Sequence, residues 1–229
     1  MFCSQCGTKI TEDAAVCPSC GHATKPAKVA VDLDKLKAGG LNLAKDLWLT
    51  VRHTAMSPFG GAAQAYRVIG ADRALWVGVA VGIIFALVFA MVMYSAVRNT
   101  GFYIPDNSGF ADFIKLCLVG IVPVLALALT SLLASKLGSG EGAVKTDLYI
   151  AGVSMMPFAV VLIVAQPLGL EHLDIIAALI VFALCLHVLI LFSSMLNIKQ
   201  LSERLASWAL PVMLLLSGWF ASIMYRWMS

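Results

Sequence analysis

The sequence predicts an all-α membrane protein in which five transmembrane helices follow a small N-terminal module built on four cysteines. Three observations predict this. The chain of 229 residues is 60% hydrophobic and only 13% charged, where a soluble domain carries about 25% charged residues. Its mean hydropathy is +0.89. Long apolar runs recur along it, and four of its six cysteines fall in the first twenty residues. The formal net charge of +3 is too small, and the basic residues too scattered, for a nucleic-acid binder.

Residues 1–22 read MFCSQCGTKITEDAAVCPSCGH. Cys3 and Cys6 form one CxxC pair, and Cys17 and Cys20 a second, with ten residues between them. Each pair turns two thiolates toward one point, so the two together complete the tetrahedral Cys₄ shell that Zn²⁺ prefers. Two disulfides or a dithiol redox site are the alternatives. Both are disfavoured because the pairs have the same form, and a redox site needs only one. The module is too small to bury a core, so one structural zinc ion supplies most of its folding free energy. The shell is closed, which makes the metal structural rather than catalytic. The segment resembles the N-terminal zinc ribbon of many bacterial membrane and regulatory proteins. That resemblance implies a docking module and is nearly silent about function.

Residues 23–40 read as a polar linker ending in a glycine pair. Residues 41–73 read as a cytosolic or interfacial amphipathic helical segment. Over 41–56, Leu43, Ala44, Leu47, Val51 and Ala55 share one side with Trp48 beside them, while Lys45, Asp46, Arg52 and His53 lie elsewhere. Such a helix suits the headgroup layer or the cytosolic ends of a bundle. Ser57-Pro58 ends it, and a second short segment leads to the first span.

Residues 74–229 form the five-span domain. The first span, about 74–97, carries no charge and places small residues at every fourth position: Ala74, Gly78, Gly82, Ala86 and Ala90. This stripe lets a second backbone approach closely, within the bundle or from a second copy of the chain. The others run over about 113–134, 148–168, 173–196 and 205–227, each of crossing length at about 20 residues per bilayer. Pro123, Pro157 and Pro211 lie inside three of them and should kink their helices. Cys117 and Cys185 sit in apolar runs and are expected to be small buried hydrophobes.

Arg67 and Arg73 precede the first span, Lys136 and Lys145 flank the second-to-third loop, and Lys199 and Arg204 occupy the fourth-to-fifth. The positive-inside bias therefore places the N-terminus in the cytosol and the C-terminus outside, in a multi-pass protein of the cytoplasmic membrane. Thiolate ligands in the cytosol agree with this.

Catalytic patterns are absent: no Ser/His/Asp, HExxH or paired-carboxylate arrangement occurs, which predicts a non-enzyme. The loop KLGSGEGAVKT lacks the glycine that a phosphate loop needs before its lysine. Asp112, Lys115, Asp147, Asp174 and Arg226 fall near span ends, where they are expected to reach water. His187 is the one imidazole in mid-span. It either holds a neighbouring helix, through Ser154, Thr130 or Ser131, or forms an intramembrane polar site.

The segment SPFGGAAQAYRV, the glycines Gly138, Gly140 and Gly142, and Tyr149, Gly152 and Pro157 in the third span resemble the Yip1 family of five-span membrane proteins. The resemblance implies an integral-membrane adaptor or organising protein without enzymatic activity. The expectation is thus a membrane-anchored adaptor whose ribbon docks a cytosolic protein partner while the bundle sits in the lipid bilayer. The rival is a channel or carrier for a small or apolar solute.

Overall fold

The computed structural model describes residues 33–99, 109–137, 143–168 and 172–228. The four cysteines Cys3, Cys6, Cys17 and Cys20, and the loop glycines Gly138, Gly140 and Gly142, lie outside the described residues. The chain divides into two compact units at Gly40. The second, residues 41–229, contains the bundle.

The elements in order are α1 (Leu33–Met56), α2 (Gly61–Ile69), α3 (Ala71–Asn99), α4 (Gly109–Leu137), α5 (Val144–Ser154), α6 (Met156–Ala165), a single 3₁₀ turn (Gln166–Leu168), α7 (Leu173–Asn197) and α8 (Glu203–Met228). Helix α1 starts inside the stretch expected to be linker, and the pair Gly39-Gly40 does not interrupt it. Among the described residues, four stretches are long and apolar enough to cross a membrane: Ala71–Ala96, Gly109–Leu137, Val144–Leu168 and Asp174–Asn197. The expected fifth span falls on α8, which is not among those four. It opens on Glu203 and Arg204, and Pro, Ser, Gly and Trp residues dilute its apolar run. It packs along α4.

Small residues decide how the bundle closes. A Cβ on Gly78 would sit 2.4 Å from the Tyr149 Cα, and one on Gly152 would sit 2.0 Å from the Gly78 carbonyl oxygen. Helices α3 and α5 therefore touch backbone to backbone. On the same stripe Gly82 meets Val124, and Gly120 of α4 sits 3.0 Å, by the same measure, from the Cα of Ala86. Ala74 and Ala90 are fully buried. The stripe of α3 is thus used inside the bundle, against α4 and α5, where close contact lets dispersion operate over many atoms.

The outer surface is apolar. Ile83, Leu87, Leu125, Leu129, Ile163 and Val181 are all exposed, an arrangement that hydrocarbon favours and water does not. Cys185 stands on this surface and Cys117 is half-buried, so neither is the buried hydrophobe expected of it.

The third span is two helices. Pro157 lacks the amide that would bond the carbonyl of Val153, and the chain breaks at Met155, whose amide bonds the Gly152 carbonyl at 3.0 Å instead. Helices α4 and α8, in contrast, continue through Pro123 and Pro211.

Helices α1 and α2 form an antiparallel hairpin. The turn needs Gly60, at φ 102°, and Gly61, where a Cβ would lie 2.1 Å from the His53 carbonyl oxygen. Helix α1 divides its expected apolar side: Leu43 and Leu47 pack against the core, and the rest of that side faces outward as on an interfacial helix. Asp46, Thr50 and Thr54 are buried, whereas Val51, Ala55 and Trp48 face outward, Trp48 at 68% exposure. The polar stripe faces in because its partners are there: Arg73 lies 3.6 Å from Asp46, and Thr50 packs beside Tyr149.

Candidate functional site

One end of the bundle gathers the basic residues and a buried polar core. Lys199 lies in the turn between α7 and α8. Gln200 takes a left-handed conformation at φ 53°, and the amides of Lys199 and Leu201 bond back to the carbonyls of Ser194 and Met195. That reversal leaves the Lys199 side chain fully buried.

There its ammonium meets three acceptors. It donates to the Ser131 carbonyl at 2.6 Å, to Ser135 Oγ at 2.6 Å, and to Oδ1 of Asp147, with which it forms an ion pair. Ser131 Oγ donates to the same Oδ1 at 2.7 Å, and Ser135 Oγ donates to the Ser131 carbonyl at 2.9 Å. A lysine ammonium has three donors, so all three are used. Burial pushes the Lys199 ammonium below the ordinary lysine range, and Asp147 opposes that shift. Asp147, 1% exposed, does not reach water as expected from its place near a span end. Its second oxygen, Oδ2, and the hydroxyl of Ser194 have no partner among the described residues.

The first turns of α5 extend this core toward the hairpin. Thr146 shares a 2.8 Å hydrogen bond with the Tyr66 hydroxyl. Tyr149 donates to the Ala62 carbonyl at 2.8 Å, and its ring lies 5.3 Å from that of Tyr66. Arg67 reaches the Asn197 carbonyl at 3.4 Å, and Lys145 pairs with Asp72 at the surface. Four polar residues of α5, at 145, 146, 147 and 149, thereby tie α2, α3, α4 and the α7–α8 turn together.

His187 belongs to a different level of the bundle. It is 2% exposed, its Nδ1 lies 2.7 Å from the Ser154 carbonyl, and its ring packs edge-on against Phe158 at 5.3 Å. Ser154 was one of three expected partners, and it meets His187 through its backbone. The carbonyl stands at the break in the third span, where the helical ladder is interrupted. Thr130 and Ser131, the other two, bond elsewhere: Thr130 to the Ala126 and Leu127 carbonyls, Ser131 to Asp147.

The pairing of Lys199 with Asp147 and Ser135 escapes sequence reasoning because the three come from different elements. The available signal is faint: Ser131 and Ser135 stand one helical turn apart in an otherwise apolar stretch, which marks a polar face without naming what it meets.

Fold and site define a class: an apolar helical bundle with four span-length helices among the described residues and a buried, hydrogen-bonded ion pair at one end. Residues 2–24 match the zinc-ribbon domain family. The match covers the N-terminal head alone. No curated protein and no solved structure matches the chain, and no match to the Yip1 family is found. The donor set of the head, two CxxC pairs, suits one tetrahedral zinc ion. Among the described residues no group of three or more His, Cys, Asp or Glu side chains comes together to hold a metal.

Proposed function

We propose that this chain is a membrane-anchored adaptor without enzymatic activity, in which the zinc ribbon docks a cytosolic protein partner and a Yip1-like five-span bundle holds it at the bilayer. What carries the reading is the joining of a zinc-ribbon segment, residues 2–24, to a bundle whose buried lysine spends every donor on the protein itself. A substrate-handling lysine needs a free donor or a neighbouring solvent path, whereas a fully bonded one fixes helices relative to each other. On this reading Cys3, Cys6, Cys17 and Cys20 hold one zinc ion and α8 crosses as the fifth span. The end bearing Arg67, Arg73, Lys145 and Lys199 faces the cytosol, with the C-terminus outside.

Affinity capture from a membrane extract tests it, comparing the intact chain with a Cys17→Ser, Cys20→Ser form. Loss of partners from the variant is expected; recovery of the same set from both would end the docking role. A carrier for a small or apolar solute is the second reading, favoured by the apolar cavity beside Pro157. Solute flux in liposomes that is abolished by His187→Ala, yet untouched by removal of residues 1–30, would favour it.

A further inference from the structure

We propose that the α1–α2 hairpin is re-entrant, dipping to the middle of the bilayer and returning, and that the cavity at its tip holds a hydrocarbon chain of a bilayer lipid. The depth follows from four registers. Along α2, Arg67 lies level with Asn197, Tyr66 with Thr146, and Ala62 with Tyr149. Along α1, Asp46 lies level with Arg73. Beyond these rungs the hairpin continues to Pro58, which shares a cavity wall with Pro157 and Leu186. From Asn197 to Leu186, and equally from Thr146 to Pro157, is eleven residues, or about 16 Å at 1.5 Å per residue. That is about half of a hydrocarbon layer of ~30 Å.

The burial pattern agrees with that depth. Thr50 and Thr54 point into the bundle, while Val51, Met56 and Phe59 stand outward at 40%, 75% and 52% exposure. A hairpin tip in water would turn such residues the other way, whereas one in lipid has this arrangement. The turn's own polar groups are largely kept inside it: Ser57 Oγ bonds the Phe59 carbonyl at 2.7 Å, and His53 approaches Gln64 at 3.3 Å. Arg52 is exposed, six residues beyond Asp46, so its Cα lies about 9 Å in. An arginine at that depth extends its guanidinium back to the headgroups.

The cavity measures about 190 Å³ and lies between α1, α6 and α7. Its lining is apolar apart from Thr54, whose hydroxyl is buried without a partner among the described residues. Two lining residues, Val160 and Phe182, are 60% and 58% exposed. The mouth is therefore continuous with the outer surface formed by Ile163, Ile180 and Val181, the surface that span-length helices turn to hydrocarbon. A cavity of about 150 Å³ with this kind of lining excludes water and takes up benzene. At this depth the medium at the mouth is acyl chain, which fills such a space with dispersion contacts that water would not supply.

The test uses the full chain in nanodiscs made with a phospholipid carrying a diazirine near the end of one acyl chain. Photolysis and peptide mapping are expected to place label on residues 51–58 and on the facing segment around Val160. Filling the cavity with Ala55→Trp, or from the opposite wall with Val160→Trp, is expected to reduce that label at least fivefold, while a Trp at the outward position Leu189 leaves it unchanged. Unaltered label in both filled variants would overturn the lipid assignment. Rapid reaction of Pro58→Cys with a membrane-impermeant maleimide, at the rate of a thiol placed at Lys45, would overturn the re-entrant hairpin.

Discussion

Lys199 shows how a single side chain is held where its charge is costly. Moving an ammonium and a carboxylate out of water carries a penalty of several kcal/mol per ion, and only close contact with complementary hydrogen bonds offsets it. Here the offset comes from Asp147, Ser131 and Ser135 together. Removing one partner strands the other. Lys199→Met is therefore expected to lower stability by about 3–5 kcal/mol, and adding Asp147→Leu to restore most of it. Unfolding in mixed SDS micelles reads both values; a single variant as stable as the parent would mean that the pair is not closed in the membrane. Tyr149→Phe deletes one hydroxyl that bonds the Ala62 carbonyl. It should cost about 0.5–1.5 kcal/mol, the net worth of one hydrogen bond, because the Ala62 carbonyl lies within α2 and keeps its helical donor. Hydrogen exchange should rise in α2 before it rises in α4.

Among the elements, α5 is the one on which the others converge, and its sequence shows why. Gly152 allows the α3 backbone to touch it, Tyr149 and Thr146 bond α2, and Asp147 bonds α4 and the α7–α8 turn. Pro157 then ends the regular ladder just beyond, and His187 takes the Ser154 carbonyl at the break. A side chain at Gly152 meets backbone, which cannot swing aside. Gly152→Leu should separate α3 from α5 and destabilise the bundle by at least the 1–3 kcal/mol typical of overpacking. Gly218→Leu on α8, where a Cβ meets nothing within 4 Å, serves as the control. If the two variants unfold alike, the close crossing does not exist in the lipid-embedded protein.

For the molecule as a whole, the two units at Gly40 imply two separate sources of stability. The zinc-ribbon segment is too short to bury a core, so a zinc ion held by its four thiolates would supply most of its folding free energy, while the bundle depends on packing and on its buried polar core. Native mass spectrometry is expected to find one zinc ion per chain, absent from a Cys17→Ser, Cys20→Ser form. Chelation should leave the helical signal and the unfolding midpoint of the bundle where they were. A midpoint that falls on chelation would show that the metal supports the spans as well.

The features legible in the sequence are those that depend on near neighbours along the chain. Two CxxC pairs mark the zinc-ribbon segment within twenty residues, and apolar runs mark five expected spans, four of which fall on span-length helices of the described residues, because ligand spacing and helix length are both local properties. The small-residue stripe from Ala74 to Ala90 was visible for the same reason, since a period near four is a property of one helix. Contacts between distant segments decided the rest. Asp147 read as a water-facing end residue until Lys199 and Ser131, from two other elements, closed around it. Helix α1 had a legible apolar side, but how that side divides between core and exterior, with Leu43 and Leu47 packed and Val51 and Ala55 outward, depended on Tyr149 and Arg73 being opposite Thr50 and Asp46. Periodicity gives a helix two faces; only the partner on the other side, placed by the fold, selects the one that goes in.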